Sequence, residues 1–207
     1  MAYKFTYITV QHSATRFLET YFIYLGFSPL TLTQRCKTCG NSHGYEKHMD
    51  ERNASGKIEY KWNHYRSDNI YIKPQHKTYP IVSTARHPYK TVISYLSRGY
   101  DVRDCLTMWD NFIKTSTTHN MLYYFTDCKE ENRKAQLIDL IKSIDCYEND
   151  TEELTDNFVL DWKPIGVYNS DIKKEYERTG KLPDVFDWSR FDRAINWYEK
   201  RIEECKY

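Results

Sequence analysis

Residues 8–22 read ITVQHSATRFLETYF, and this stretch decides the fold. Ile8 and Val10 close an alternating apolar run with Phe5 and Tyr7, which predicts a strand over 4–10. Phe17, Leu18, Tyr21, Phe22 and Leu25 then recur at three- and four-residue spacing, which predicts a helix over 15–25 closed by Gly26. Between them lies a four-residue turn, Gln11 to Ala14. A strand feeding a helix start brings free backbone N–H groups and the positive end of the helix dipole to one point, where an anion is stabilised. Ser13 and Ala14 are small enough to let the backbone approach such a ligand, Thr15 offers a hydroxyl, and His12 and Arg16 offer charge. A strand-to-helix turn with a capping Ser or Thr reads the same way locally, so the loop alone does not choose. It also lacks the lysine of a nucleoside-triphosphate loop.

Working outward, residues 33–80 are polar and read as an irregular insertion or lid. Regular structure resumes at YPIVSTARHP, where Ile81 to Ala85 predict a short buried strand and Pro88 opens a helix that continues through Arg98. A helix over 103–116, a strand over 120–125, a helix over 131–144 and a last helix over 190–205 follow from their apolar spacing. Strands alternating with helices predict an α/β fold with a central, mainly parallel sheet flanked by helices, in a single domain over 1–207.

The bulk numbers remove other classes. Thirty Lys and Arg against 29 Asp and Glu give a net charge of +1, so no global basic field argues for nucleic acid or an anionic membrane, and any anion site is local. No apolar run approaches the roughly 18 residues of a membrane span, and the first residues lack the pattern of a signal peptide. The expected location is cytoplasmic, with the six cysteines as reduced thiols. The 19 tyrosines read as residues that fill a small core and its rim with their hydroxyls reaching water.

A second loop points at the same ligand. In TARHPYKTVISYLSRG the predicted strand ends on Arg86, Pro88 opens the helix, and Ser94 stands eight residues after the arginine. Arginine offers a bidentate fork to a phosphate, and the serine adds a hydroxyl two turns on. This R-H-P with its distant serine resembles the 3′-phosphate motif of sulfotransferases that use 3′-phosphoadenosine-5′-phosphosulfate (PAPS), where R-N-P is usual. HSATRF is then similar to their 5′-phosphosulfate loop, with Ser13, Thr15 and Arg16 matching, His12 in place of lysine and Ala14 in place of glycine. YYFTDCKEENRK is similar to the Y-E-D-x-K-E-D segment of cytosolic members, and TMWDNF to their tryptophan-bearing helix. The resemblance covers 4–26 and 80–144 in the family's order.

What the resemblance implies is a P-loop-like three-layer fold and a PAPS site, left holding adenosine 3′,5′-bisphosphate (PAP) after turnover. Its cofactor-binding residues would be His12, Ser13, Ala14, Thr15, Arg16, Phe17, Arg86 and Ser94, with Phe125 in the place of an adenine-stacking tyrosine. Asn169 and Ser170 only vaguely resemble carboxyl-terminal contacts. His87 would sit beside the 3′-phosphate. The short chain, rich in Tyr, Lys and Asn, is similar to compact bacterial or phage-encoded members.

Sulfuryl transfer to a hydroxyl calls for a general base, and histidine suits neutral pH. The family often takes it from between the two loops. There RCKTCGNSHGYEKHMDE offers His43, His48 and Glu46, with His12, His64 and His76 behind them. The same segment supports a rival: Cys36, Cys39, His43 and His48 have the spacing of a compact zinc knuckle, against a Cys36–Cys39 disulfide or two free thiols. The leading expectation is thus a PAPS-dependent sulfotransferase acting on a small-molecule or glycan hydroxyl. The alternatives are a P-loop nucleotide or small-molecule kinase, and a non-catalytic binding module with a zinc-stabilised lid.

Overall fold

A computed structural model describes residues 2–10, 13, 15–25, 27–29, 60–66, 77–144, 151–158, 170–184 and 186–205. In chain order the elements are β1 (Ala2–Thr9), α1 (Thr15–Tyr24), β2 (Phe27–Pro29), β3 (Tyr60–Arg66), β4 (Ile81–Ala85), α2 (Pro88–Leu96), α3 (Val102–Thr118), β5 (Met121–Phe125), α4 (Glu130–Ser143), α5 (Thr151–Asp156), α6 (Ser170–Thr179), a 3-10 turn (Trp188–Phe191) and α7 (Asp192–Glu204). The strands form one sheet in the order β2-β3-β1-β4-β5, and every neighbouring pair is parallel.

The alternation in β1 explains why helices cover both faces. Phe5 and Tyr7 face one way, into a core with Leu18, Tyr21 and Phe22 of α1 and Leu137, Leu140 and Ile141 of α4. Ile8 and Val10 face the other, with Val92 of α2, Trp109 and Phe112 of α3 and Trp197 of α7. A strand buried on both faces reads as a nearly continuous apolar run. The chain winds from β1 towards β2 through α1 on one face, and from β4 towards β5 through α2 and α3 on the other. Right-handed crossovers require this change of face when the direction of travel along the sheet reverses. The reversal falls at β1 and β4.

Three expectations change here. Residues 60–66 lie inside the segment read as irregular, yet they form β3, paired to β1 on one side and β2 on the other. Two neighbouring strands supply the partners that local sequence does not, which is how tertiary context overrides β propensity. The helices α5 and α6 were not predicted: each is short, and the residues of α6 average strongly polar. The tyrosines are also more deeply set than a rim arrangement. Tyr7, Tyr21 and Tyr124 are fully buried with their hydroxyls. The Tyr21 hydroxyl is paired at 2.9 Å with Thr155 Oγ1, which ties α5 to α1, and burial pushes this phenol up to about 12.

Among the described residues Cys105 and Cys128 are buried free thiols and Cys205 is a half-buried one. Among them too, no helix is long and apolar enough to cross a membrane.

Candidate functional site at the strand ends

In a parallel α/β sheet the crevice outside the carboxyl ends of the strands, where the winding reverses, is the usual ligand position. Here that place lies between the ends of β1 and β4, the strands that carry the two loops singled out in the sequence.

The first loop is braced from inside. Ser13 is fully buried; its hydroxyl lies 2.5 Å from the Val10 carbonyl oxygen, to which it donates, and 3.1 Å from Thr84 Oγ1. Its backbone N–H also donates to the Val10 carbonyl, at 3.3 Å. Ser13 therefore fastens the loop to β4 through a buried hydroxyl engaged within the protein. Thr15 and Arg16 form the first turn of α1. Phe17 is half-buried, its ring stacked on Tyr124 at 5.4 Å and edge-on to Phe158 at 5.7 Å. His12 and Ala14 lie outside the described residues.

The second loop is built around a cap. Arg86 follows β4 and is half-buried; His87 is the N-cap of α2, its Nδ1 accepting from the Tyr89 N–H at 3.2 Å, and Pro88 fills the first helical position. That bond fixes Nδ1 as the unprotonated nitrogen, and burial holds the imidazole below its ordinary pKa, although Asp127 pulls the other way. His87 is accordingly a neutral cap. Ser94 is half-buried on α2, seven residues beyond His87 and so on nearly the same helix face two turns on.

Asp127, just past β5, joins the two strand ends to this helix. Its Oδ2 accepts the His87 backbone N–H at 2.6 Å, and its Oδ1 takes the Lys90 ammonium at 2.8 Å. The Thr126 N–H donates to the Ala85 carbonyl at 2.9 Å, which holds the ends of β4 and β5 together. The carboxylate thus occupies an N–H at the start of α2. Two tyrosines close the corner. Tyr198 of α7 meets His87 at 5.5 Å and Phe125 at 5.8 Å between ring centroids. Tyr176 of α6 lies within electrostatic reach of both Asp127 and Arg86, and burial, more than the carboxylate, raises its phenol.

Phe125 does not fit the stacking role expected for it. It has no exposed surface and its ring lies among Tyr123 and Tyr198, so it offers no open face to a base. Ser170 is the first residue of α6. His64 lies on β3, paired with Tyr7, inside the strand rather than at its end. Outside the described residues lie His43, Glu46, His48, His76, Asn169, Cys36 and Cys39, and with them the base and zinc expectations.

Asp127, Tyr176 and Tyr198 were not among the sequence candidates. Asp127 carried a signal, as the aspartate of the TDCKEE stretch; the two tyrosines, among 19, carried none. No known protein-family model matches the chain, and no curated protein is significantly similar to it.

Proposed function

We propose that the protein is a PAPS-dependent sulfotransferase with a P-loop-like three-layer α/β fold, acting in the cytoplasm on the hydroxyl of a small molecule or glycan. One observation carries the reading. The loop after β1 and the arginine-bearing loop after β4 stand on adjacent parallel strands where the winding reverses, and the Ser13–Thr84 contact ties the first loop to β4. Two half-sites that resemble one family's two phosphate loops are therefore neighbours in space.

In this reading Arg86 and Ser94 hold the 3′-phosphate, and the first turn of α1, with Thr15 and Arg16, receives the 5′-phosphosulfate through backbone N–H groups. The acceptor oxygen attacks sulfur in line, the bond from sulfur to the bridging phosphate oxygen breaks, and a base among His43, His48 and Glu46 takes the acceptor proton. Charge building on the leaving phosphate is stabilised at the helix start. A kinase would need a lysine in the first loop, and HSATRF has none.

The test is calorimetric titration of PAP, 5′-AMP and ATP into the wild type and Arg86→Ala. PAP should bind far better than 5′-AMP, with the difference lost in Arg86→Ala. Preference for ATP would move the kinase reading to first place, and failure of all three to bind would favour a non-catalytic module.

A further inference from the structure

Tyr198 is only 4% exposed, yet among the described residues its hydroxyl meets no partner in full hydrogen-bond geometry, the Asp127 carboxylate being the group it approaches. A buried unpaired hydroxyl is destabilising, and phenylalanine would fill the same volume without that cost. The ring itself is well used, edge-on to Phe125 at 5.8 Å and to His87 at 5.5 Å. The hydroxyl is what calls for a reason.

Its surroundings supply one. His87 and Phe125 are the neighbours of Arg86 and Asp127 along the chain, so Tyr198 is seated in the corner those two charges define. Asp127 is the acceptor the hydroxyl approaches, but without full hydrogen-bond geometry, the two carboxylate oxygens being directed at the His87 N–H at 2.6 Å and the Lys90 ammonium at 2.8 Å. A second buried hydroxyl without a partner among the described residues, Thr126 Oγ1, belongs to the same strand end. By contrast the unpaired indole N–H of Trp109 belongs to a ring packed against Trp197 and Phe112, where the ring's bulk accounts for the residue.

We infer that Tyr198 is a ligand contact: its hydroxyl donates to the phosphate-type oxyanion gripped by Arg86, and it stays unpaired until that ligand arrives. The inference deepens the proposed function by adding a residue of α7 to the 3′-phosphate site, and it rests on that reading for the identity of the nucleotide. It needs only that Arg86 holds an oxyanion. A group kept for a ligand leaves a distinctive signature, because its removal stabilises the free protein and weakens the complex.

The experiment compares wild type, Tyr198→Phe and Arg86→Ala by thermal unfolding without ligand and by calorimetry with PAP, 5′-AMP and inorganic phosphate. Tyr198→Phe should raise Tm by about 2–4 °C. It should also weaken PAP about tenfold while leaving 5′-AMP unchanged. The inference is overturned if Tyr198→Phe binds PAP as tightly as wild type, or loses 5′-AMP equally. A lowered Tm with unchanged binding also overturns it, since the hydroxyl would then be a structural partner of Asp127. If wild type ignores PAP but binds phosphate in a way that needs both Arg86 and Tyr198, the sulfotransferase reading fails and this contact stands. If wild type binds neither, both fail.

Discussion

The loops after β1 and β4 share a construction, a strand running into a helix through a few small or capping residues, but they differ in what their side chains do. In the first, the Ser13 hydroxyl and N–H both turn inward, to Val10 and across to Thr84, so in the proposed site the backbone N–H groups at the start of α1 are left to hold the ligand. In the second, His87 and Asp127 complete the cap, and Arg86 stands beside them half-buried. In the proposed site the first loop therefore supplies shape and the second supplies charge. Similar local patterns acquire different duties according to which strand lies next to them.

The largest expected effects come from setting one loop against the other. Arg86→Ala should weaken PAP by ten- to a hundredfold, about 1.5–3 kcal/mol, whereas Ser13→Ala should change it by less than about threefold because that hydroxyl is engaged within the protein. Comparable losses in the two variants, measured by calorimetry, would erase the distinction. Asp127→Ala, which leaves the His87 N–H and the Lys90 ammonium without their acceptor, should cost about 1.5–2 kcal/mol in urea unfolding. Little or no change would mean that water replaces the carboxylate at no cost.

The brace should be worth less. Ser13→Ala and Thr84→Val should each cost about 1 kcal/mol, and the double variant less than their sum, because both remove the same contact. Additivity in the double-mutant cycle would show that the two hydroxyls do not act together.

The smallest effect is a pH dependence. With the folded pKa of His87 below its unfolded value, the unfolded chain binds more protons between the two. The stability that His87 contributes is then present above the ordinary histidine pKa and lost as pH falls from there towards the lowered one. His87→Asn keeps a capping side chain and removes the titration, so its thermal stability should fall less steeply than wild type over that range. Parallel slopes would place the titration elsewhere.

Much of the fold was legible because its elements carry their own periodicity. The spacing of Phe17, Leu18, Tyr21 and Phe22 marked α1, and that of Leu106, Trp109, Phe112 and Ile113 marked α3, since one buried face of a helix repeats every three to four residues. β3 was illegible for the opposite reason: YKWNHYR mixes charge and aromatics without a clear face, and it is defined by its pairing to β1 and β2. In the candidate site, Arg86, Pro88 and Ser94 were visible as a spaced motif. Phe125 was misread because a motif gives position along the chain but not whether a ring faces a cleft or a core.

The sequence by itself determined the alternation of strands and helices, the two loops and the absence of a global charge bias. Only the tertiary structure decided that the loops are neighbours, that Ser13 turns inward, and that Asp127, Tyr176 and Tyr198 gather round Arg86. The reason is physical. Periodicity and capping are fixed by residues within a turn or two of one another, whereas the site is assembled across a sheet from residues as far apart as Ser13 and Tyr198, and no local preference encodes which strand ends lie side by side.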